Sequence, residues 1–422
     1  MINIINKENC VGCNACVQRC PVSCISMNED EQGFLYPKVD ISKCIDCGLC
    51  ERVCPVLNQG EPREPIKVYA ARNKDVEILR TSSSGGIFYA LAESVIKERG
   101  VVFGARFDED WQVMHDWTDT LDGLKAFQGS KYVQSRIGTT YQQAESFLKS
   151  GRKVMFTGTP CQIKGLVLFL RKDYGEQLLK VDVICHGVPS PAVWREYLKY
   201  ITRPQGASAG KNTVSMSSKK QIPTIGGISF RDKRLGWEKF GFRLSTVAPE
   251  GDQNSVSASK SQNDSNEFFE LFSKNLYMNL FLKNLDLRPS CYICPSKSGK
   301  SCADISLADY WGVVREHPDA YSREGVSLLL AYNNATNQMI SQGDVKLTAS
   351  SYEKALKYNP AIKEDPAKPV LAEQFWSTFE KDGIEGSDKL VRTTKPGLKQ
   401  RIFFTIKDII RPIAYRILAL RK

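Results

Sequence analysis

No uninterrupted apolar stretch of this 422-residue chain is long enough to cross a bilayer. The N-terminus passes from Met1 almost directly into a cysteine-rich run, without the charged and then apolar segments of a secretory leader. Because thiolate ligands need a reducing compartment, these features predict a cytoplasmic protein. With 42% hydrophobic residues, the composition is that of a globular protein with room for roughly two or three domains.

A pattern typical of nucleic-acid binding is also missing. The net charge is +11, yet no basic groove pattern interleaved with stacking aromatic residues occurs outside the C-terminal tail, so we predict no nucleic-acid partner. Residues 1–65 hold six basic and nine acidic side chains, a balance of −3. Residues 398–422 hold seven basic side chains and one acidic one, a balance of +6, so the tail carries over half of the excess.

Cysteine, in contrast, is abundant, with 14 residues. The run C-x2-C-x2-C-x3-C-P occurs twice, ending at Cys20-Pro21 and at Cys54-Pro55. In such runs three thiolates bind one cluster and the fourth reaches the other cluster. Zinc knuckles and disulfides usually show separated C-x2-C pairs or irregular spacing instead. The spacing predicts two 4Fe-4S clusters, one held by Cys10, Cys13, Cys16 and Cys54 and the other by Cys44, Cys47, Cys50 and Cys20.

The order of strand and helix patterns predicts an α+β ferredoxin-like dicluster domain followed by an α/β domain with β-rich insertions. Two prolines in the stretch 60–65 mark the linker between them. A helix rich in Phe and Leu is predicted over Glu267–Leu285. The predicted boundaries are 1–62 for the ferredoxin domain, 66–202 and 203–335 for the two parts of the α/β domain, 336–395 for a helical extension and 396–422 for a basic amphipathic tail.

Four later cysteines predict a third 4Fe-4S cluster. Cys161 and Cys185 each directly follow a predicted strand, so both thiols emerge at the carboxyl edge of the sheet if these strands are parallel neighbours. Cys291 and Cys294 add a C-x2-C pair flanked by prolines. Cys302 is the substitute ligand if one of the four fails. The alternative is that these cysteines are small buried hydrophobic residues.

The segment Thr81–Gly86 is composed of small hydroxyl and glycine residues and precedes a predicted helix. Exposed backbone N–H groups at a helix N-terminus favour phosphate. The segment is neither a G-x-G-x-x-G nor a Walker A sequence, so an ordinary helix N-cap remains the alternative.

The tail carries isoleucines at three- and four-residue intervals, from Ile402 to Ile417, among seven basic residues. This pattern suits a helix in a membrane interface, attracted to anionic lipids, and predicts peripheral contact with the inner face of the membrane. Pro412 would kink or break the helix. A helix docked on the protein's own core or on another protein of a complex is the alternative.

Several of these segments together resemble the family of coenzyme F-420 hydrogenase/dehydrogenase beta subunits, preceded by a fused dicluster ferredoxin. The resemblance covers roughly residues 1–335. It is carried by Ser82–Gly86 with Phe88, Gly129–Ser135, Gly158–Gln162, Cys185–Pro189, Arg288–Cys294 and Ala303–Gly312. One departure is Cys302, which stands where most relatives would have another residue.

The resemblance implies that the α/β domain binds FAD together with the third cluster on Cys161, Cys185, Cys291 and Cys294. It implies that the Ser/Gly segment ending at Gly86, before the predicted helix, binds the flavin phosphates. Two further segments complete the flavin pocket. The implied cofactor-binding residues are Ser82, Ser84, Gly85, Gly86, Ser130, Lys131, Tyr132, Gln134, Thr157, Gly158 and Thr159. His186, beside a predicted cluster ligand, is the candidate proton donor, with an oriented structural histidine as the alternative.

The leading hypothesis is an iron–sulfur flavoprotein oxidoreductase that relays electrons between a ferredoxin-type or other redox carrier and an organic substrate. Relatives with this fused layout often accompany genes of polysaccharide assembly, which suggests a glycan or lipid-linked substrate. One alternative is a dehydrogenase or reductase that uses coenzyme F-420. Another is a noncatalytic electron-transfer subunit that docks a separate enzyme. Hydrogenase chemistry itself is not expected, since nothing resembles a nickel or binuclear iron ligand set.

Overall fold

A computed structural model of the chain describes residues 1–203, 224–247, 267–334 and 344–393. Met1–Ala372 form one compact unit, and a second unit begins at Glu373. The predicted amphipathic tail at 396–422 and its membrane contact lie outside the described residues.

The N-terminal segment consists of short elements between its cysteines. Asn14 and Gly48 precede its two helices in the left-handed region, with φ of 62° and 67°. They turn the chain between the second and third cysteines of each run. An antiparallel pair of strands, with Ile25 opposite Val39, separates the two runs. The elements are α1 (Ala15–Arg19), β1 (Ile25–Glu29), β2 (Leu35–Val39) and α2 (Leu49–Arg52).

An eight-stranded mixed sheet forms the centre of the first unit. Its spatial order is β13-β3-β12-β11-β7-β6-β4-β5. The strands are β3 (Lys67–Asn73), β4 (Val101–Phe107), β5 (Val113–Thr118), β6 (Val154–Gly158), β7 (Leu178–Val183), β11 (Ile305–Asp309), β12 (Ser327–Ala331) and β13 (Val345–Ser350).

Four adjacent strands of this sheet, β4, β6, β7 and β11, run parallel. Their carboxyl ends therefore meet at one edge. The outer strand pairs are antiparallel. The third cysteine set is predicted on the condition that the strands before Cys161 and Cys185 are parallel neighbours. This condition is confirmed, because β6 and β7 pair in parallel with Phe156 opposite Lys180.

Helices cover both faces of the sheet. On one face α4 buries Ile87, Leu91 and Val95 against the sheet. On the other face α5 and α6 bury Tyr141, Leu166 and other apolar side chains. The helices of this unit beyond the N-terminal segment are α3 (Val76–Thr81), α4 (Ile87–Lys97), α5 (Thr140–Lys149), α6 (Pro160–Leu170), α7 (Pro191–Ile201), α8 (Leu276–Leu282), α9 (Val313–Glu316) and α10 (Tyr352–Tyr358).

The ferredoxin-like segment shares a hydrophobic core with α5 and α6. Val11, Cys13 and Val53 belong to the same buried cluster as the inner faces of these two helices. The buried Gln18 side chain accepts hydrogen bonds from the first backbone N–H groups of α5, with its Oε1 3.0 Å from the nitrogen of Tyr141. The segment is thus packed against the sheet domain through apolar and polar contacts.

A smaller antiparallel sheet confirms the predicted β-rich insertion. Its strands are β8 (Thr224–Asp232), β9 (Gly241–Val247) and β10 (Glu267–Leu271). The predicted helix over Glu267–Leu285 is wrong in its first part, because 267–271 pairs with β9. A helix begins only at Leu276, where the Asn275 side chain accepts the N–H of Met278. The Phe-rich segment is compatible with a strand as well as a helix, and pairing with β9 decides between the two.

The predicted helical extension at 336–395 also needs correction. Its residues 345–350 form β13, an edge strand that pairs antiparallel with β3. Helical structure follows it at α10. The last described element is α11 (Ala372–Thr393), which from Glu373 onward belongs to the second unit and is broken at Gly383, where φ is 61°. The polar composition of β13 concealed its alternating pattern and favoured the prediction of a helix.

We predict that Gly33→Ala weakens the packing of the ferredoxin-like segment. A Cβ at Gly33 would lie 2.3 Å from the backbone nitrogen of Ala192, at the start of α7. Gly33 also has φ of 81°, so strain and clash should together lower the free energy of unfolding by roughly 2–4 kcal/mol. Denaturant titration under anaerobic conditions measures this loss.

Gly151→Ala is the matched control. Gly151 has φ of 83°, but its Cβ would meet nothing within 4 Å. This variant should therefore show only the cost of the left-handed backbone, about 1 kcal/mol. Equal losses in the two variants would contradict the close packing at Gly33.

Candidate functional site

The first predicted cysteine set lines one cavity of the ferredoxin-like segment. Cys10, Cys13, Cys16 and Cys54 surround about 340 Å³ of empty space that extends to the surface. Burial raises the pKa of Cys16 to about 12, and the neighbouring Cys10 and Cys54 thiols raise it further. Such thiols stay protonated unless a cation stabilises the thiolate, so the donor set fits an iron–sulfur cluster.

The second predicted set lines a separate hollow, with about 330 Å³ of empty space that likewise extends to the surface. Cys20, Cys44, Cys47 and Cys50 all contribute to its wall. A fifth thiol, Cys24, lies there too, with its Sγ 3.4 Å from that of Cys20. This cavity is the more exposed of the two regions, because Cys47 is exposed and the nearby Ile45 is 63% exposed.

The two sets are neighbours. Burial raises the pKa of Cys16, and Cys50 of the second set is among the thiols that add to the effect. Cys54 of the first set likewise lies within the electrostatic reach of Cys50. The crossed pattern of the two runs therefore brings both sets into one small segment.

The third predicted set comes together at the carboxyl edge of the large sheet. Cys161 lies in the first turn of α6, directly after β6, and Cys185 lies in the loop after β7. Cys291 lies in a short 3-10 helix over Pro289–Ile293, and Cys294 ends it. Burial raises the pKa of Cys185 well above its usual range, and the Cys291, Cys161 and Cys294 thiols raise it further.

Local contacts fix these thiols. The Cys291 sulfur accepts the backbone N–H of Val188 at 3.4 Å, which joins the 3-10 helix to the loop after β7. The Thr159 hydroxyl lies 3.2 Å from the Cys161 sulfur. Burial raises the pKa of Cys161 to about 11 and that of Cys291 to about 12. The four donors fit a cluster for the same reason as the first set.

Cys302 occupies a different place. Its sulfur lies 3.8 Å from the ammonium nitrogen of Lys164 on α6, and it donates towards the carbonyl of Lys300. Cys302 itself has φ of 63°. It is thus engaged with a buried lysine, and Cys161, Cys185, Cys291 and Cys294 form the third set without it.

Across the described ranges, no three His, Cys, Asp or Glu side chains surround a single point at the distance of one metal ion.

The predicted flavin segments are brought together next to the same edge. The backbone N–H of Ser130 donates to the hydroxyl of Ser83 at 2.6 Å, and the Gln128 side chain reaches the hydroxyl of Thr81. Gly86 precedes α4 with φ of 74°, and no side chain caps this helix. The first N–H groups of α4 are therefore available to an anion.

Lys131 is one cation of this region; Lys233, whose ammonium group reaches the carbonyl of Ser84, is another. Its ammonium group donates to the carbonyls of Ala126 and Gln128, at 2.8 and 2.9 Å. Burial lowers the pKa of Lys131 to about 7. No carboxylate in the part of the chain that the structure describes forms an ion pair with it, so a bound phosphate would stabilise its charged form.

Three predicted flavin residues are occupied by internal contacts. The Gly85 N–H donates to Ser327 Oγ at 2.9 Å, and a Cβ there would lie 2.3 Å from the carbonyl of Ala71. The Ser84 hydroxyl donates to the carbonyl of Val326. The Gln134 amide donates to the carbonyl of Val11 and accepts from Arg288, so it joins the ferredoxin-like segment to the sheet domain.

The remaining predicted residues lie around the end of β6 and beside α8. The Thr157 hydroxyl donates to Phe103 O, and the Thr159 N–H donates to the side chain of Gln162. Gly158, between them, faces the buried His115 ring, with a Cβ position 3.4 Å from Nε2. The Tyr132 ring packs against Phe281, and its carbonyl accepts the hydroxyl of Tyr277.

His186 is held by one strong hydrogen bond. Its Nε2 lies 2.6 Å from Oδ1 of Asn284, whose amide nitrogen donates to the carbonyl of Ala367. Oδ1 is therefore the acceptor and Nε2 carries the proton. Burial lowers the pKa of His186, so the neutral ring is favoured and its Nδ1 can accept a proton.

The sequence interpretation gave no role to three buried ionisable side chains near the third set. Lys297 donates to the carbonyls of Cys185 and Ala361. Arg288 donates to the carbonyl of Cys10. A basic residue close to a C-x2-C pair is a signal that could have drawn attention to both.

Asp286 is the third of these side chains. It is fully buried, and neither carboxyl oxygen has a partner among the described residues. Burial raises the pKa of Asp286 to about 8, so the group is protonated at neutral pH. It faces Tyr277 and Tyr292, whose pKa values are raised by burial and, secondarily, by this carboxyl. No sequence pattern indicates it.

Comparisons with known proteins agree with this division of the chain. Residues 151–354 match the sequence model for the C terminus of the beta subunit of coenzyme F420 hydrogenase/dehydrogenase. Residues 9–58 match the 4Fe-4S dicluster domain. The first match contains all four cysteines of the third set, and the second contains all eight of the ferredoxin-like segment.

Individual relatives show the same two parts. The F subunit of the F(420)H(2) dehydrogenase of Methanosarcina mazei is 23% identical over 195 residues, which are 43% of this chain and 54% of the relative. The chain thus spans about half the length of that relative. Ferredoxin 7Fe of Hydrogenibacillus schlegelii is 42% identical over 73 residues, 16% of this chain and 87% of the relative.

One solved structure aligns with much of the chain. It is the F420-reducing [NiFe] hydrogenase complex from Methanosarcina barkeri, with a TM-score of 0.42 and 17% identity. The alignment covers 79% of this chain and 93% of the other. Among the described helices of this protein, none combines the length and the apolar character needed to span a bilayer.

We predict that Asp286→Asn makes stability less dependent on pH. The folded-state pKa of about 8 lies above the usual 3.8, so the folded protein holds a proton that the unfolded chain releases. The contribution of the protonated Asp286 carboxyl to the free energy of unfolding is complete below about pH 4. It is lost as pH rises towards 8. The variant's advantage should grow over that range, by up to about 1.4 kcal/mol per pH unit.

Denaturant titrations at pH 5 and pH 8 measure this difference. Asp110→Asn, at an exposed loop position, is the control and should leave the pH dependence unchanged. Parallel pH profiles for the wild type and Asp286→Asn would show that the carboxyl is not buried as described.

Proposed function

Since this chain joins a 4Fe-4S dicluster domain to the C-terminal domain of the family of coenzyme F420 hydrogenase/dehydrogenase beta subunits, we propose that it is an iron–sulfur flavoprotein oxidoreductase. It relays electrons between a ferredoxin-type carrier and an organic substrate through three 4Fe-4S clusters and FAD. Either direction of transfer is compatible with the arrangement. Its substrate class is a glycan or lipid-linked intermediate of polysaccharide biosynthesis.

The observation that carries the proposal is the alignment of three cysteine sets. Cys50 of the second set lies near Cys16 of the first. Tyr141 lies between the first and third sets: burial raises its pKa, and the Cys13 and Cys161 thiols both raise it further. Three redox sites in this order suit a relay and have no use in a protein that only binds a ligand.

These contacts support the proposed ligands of each cluster. The proposed sets are Cys10, Cys13, Cys16 and Cys54 for the first, Cys44, Cys47, Cys50 and Cys20 for the second, and Cys161, Cys185, Cys291 and Cys294 for the third. A close approach supports the position of the first beside the third. A Cβ on Gly165 of α6 would lie 3.1 Å from the Cys13 sulfur, and Cys161 stands four residues earlier on the same helix.

The second set is the proposed entry point for the carrier. Its cavity includes the exposed Cys47 and is rimmed by Val22 and Ile45, which are 37% and 63% exposed. Apolar side chains around an exposed redox site suit transient contact with a protein partner.

The flavin site is proposed at the uncapped N-terminus of α4. The helix start at Gly86, the cation of Lys131 and the loop around Ser130 are the features that would hold a pyrophosphate. Thr157–Thr159 at the end of β6 lie on the side of the third set. When bound there, FAD would exchange single electrons with a cluster and an electron pair with the substrate.

His186 is the proposed proton carrier at the substrate. Its Nε2 is fixed by Asn284, so Nδ1 is the atom that takes up or releases the proton. The residue next to it, Cys185, belongs to the third set, which places the proton beside the redox site.

A second candidate function is oxidation or reduction of coenzyme F-420, favoured by the family match and by the relative from F(420)H(2) dehydrogenase. Mixing reduced F-420 with the anaerobic holoprotein separates the two, since fast flavin reduction requires a site for the deazaflavin. A noncatalytic electron-transfer subunit is the third candidate, and turnover by the isolated chain with an organic acceptor would exclude it.

We predict that the anaerobically purified protein contains about twelve irons and twelve acid-labile sulfides. Cys161→Ser and Cys291→Ser should each reduce both counts to about eight, because the third cluster loses a ligand. Cys302→Ser is the control and should retain about twelve. About eight irons in the wild type, unchanged in these variants, would leave only the dicluster domain as a redox site.

We predict that Lys131→Met weakens flavin binding by about tenfold or more, since a charged contact to phosphate is lost. Equilibrium dialysis of the deflavinated protein with FAD measures the change. Lys125→Met is the matched control, because Lys125 lies in the same loop but pairs with Asp122 at the surface. Equal FAD affinities of the wild type and the two variants would show that Lys131 does not contribute to the proposed site.

A further inference from the structure

Arg288 is a buried cation between the ferredoxin-like segment and the sheet domain. Its side chain is 1% exposed. Its guanidinium group donates to the carbonyl of Cys10 at 2.7 Å, to Gln134 Oε1 at 3.0 Å and to the carbonyl of Leu35 at 3.0 Å. All three acceptors are neutral, so the hydrogen bonds satisfy the donors without neutralising the charge.

Among the residues that the structure describes, no acidic side chain forms an ion pair with Arg288. Within the described ranges no Asp or Glu comes within 4 Å of the Arg288 nitrogens, whereas the other deeply buried arginine, Arg231, is paired with Asp309 at 2.5 Å. The faces of Phe34 and Tyr36, at 5.3 and 4.3 Å from the guanidinium carbon, offer only weak cation–π attraction. An unpaired buried charge is costly, so a negative group is expected nearby.

The position of Arg288 identifies that group. On one side the guanidinium contacts the first cysteine run, where a Cβ on Gly12 would lie 2.8 Å from its Nη1. On the other side Arg288 directly precedes the 3-10 helix that carries Cys291. The Cys161 and Cys291 thiols, both of the third set, lie within the electrostatic reach of its charge, and the backbone N–H of Cys291 donates to the carbonyl of Arg288 at 2.9 Å. Its link to the first set is the hydrogen bond to the carbonyl of Cys10.

We propose that Arg288 is the shared counter-cation of the first and third clusters and raises the reduction potential of both. The inference rests on the proposed function, since it takes both cysteine sets as cluster ligands. A cluster held by four thiolates carries net negative charge, and each reduction adds one electron and forms or breaks no bond. A fixed positive charge stabilises the more negative, reduced form more than the oxidised form.

The shared position has a further consequence. Reduction of one cluster adds a negative charge beside Arg288 and so offsets part of its positive field at the other cluster. The reduction potentials of the two clusters are therefore coupled through Arg288. The second set, with Cys47 at its exposed side, has no contact with Arg288 and serves as an internal reference within the same molecule.

The test compares Arg288→Met with Arg288→Lys in the full-length holoprotein. Iron and sulfide are measured first, and the midpoint potential of each cluster is then followed by EPR during a redox titration. Arg288→Met should decrease the ratio of reduced to oxidised first and third clusters by about tenfold or more at fixed poise, which is a fall of about 59 mV. Arg288→Lys should retain most of the wild-type potential, and the second cluster should not change in either variant.

Arg63→Met is the control for loss of a half-buried guanidinium that joins the two parts of the chain. Arg63 donates to the carbonyls of Gly299 and Ala303 and stacks on Tyr332, away from the cysteine sets. It should leave all three potentials unchanged. A variant Arg288→Met with full iron content and unchanged first and third potentials would overturn the inference.

Gln134→Glu covers the case in which Arg288→Met does not retain its clusters. It places a carboxylate at the position 3.0 Å from Nη1, so the cation becomes neutralised in place and the same two potentials should fall. Unchanged potentials in this variant would also overturn the inference. A wild-type protein with only about eight irons would instead contradict the third cluster, and the first cluster would still report on Arg288.

Discussion

The hydrophobic core that the ferredoxin-like segment shares with α5 and α6 is the constraint on which the rest of the site depends. Cys13 is both a member of that core and a proposed cluster ligand. It can approach α6 only because residue 165 is glycine. The first turn of the same helix carries Cys161, so packing that excludes water also sets the separation of two proposed redox sites. A more loosely linked ferredoxin domain would lose this fixed distance.

Burial of the thiols makes folding and cluster assembly interdependent. Burial raises the pKa of Cys13, Cys16 and Cys161 in the absence of any cation. Neutral thiols lining a cavity fill it poorly, whereas iron binding displaces their protons and joins separate segments of the chain. In the third set these segments come from α6, the loop after β7 and the 3-10 helix. The cluster would therefore hold together elements that the sheet alone brings only to the same edge.

The sequence was informative where chemistry depends on spacing. The two cysteine runs and the strand positions before Cys161 and Cys185 predicted three sets, and the parallel pairing of β6 and β7 brought the third set together. Spacing could not predict contacts that join distant parts of the chain. Gln134 was expected at the flavin, but it binds Val11 and Arg288, and the strand at 267–271 formed because β9 was available to pair with it. Tertiary packing determines such contacts and pairings, and no local sequence pattern indicates them.

The cluster and flavin proposals have different kinds of support. All four cysteines of the third set lie inside the matched range 151–354, whereas Gly86 and Lys131 lie between the two matched ranges. The flavin site therefore depends on physical features alone, namely a helix start without a cap and a lysine without an acidic partner among the described residues. Both features lie at the edge where the parallel strands end, and the third set lies there as well. A two-electron cofactor at that position would stand between the last one-electron site and solvent, which is where a substrate can reach it.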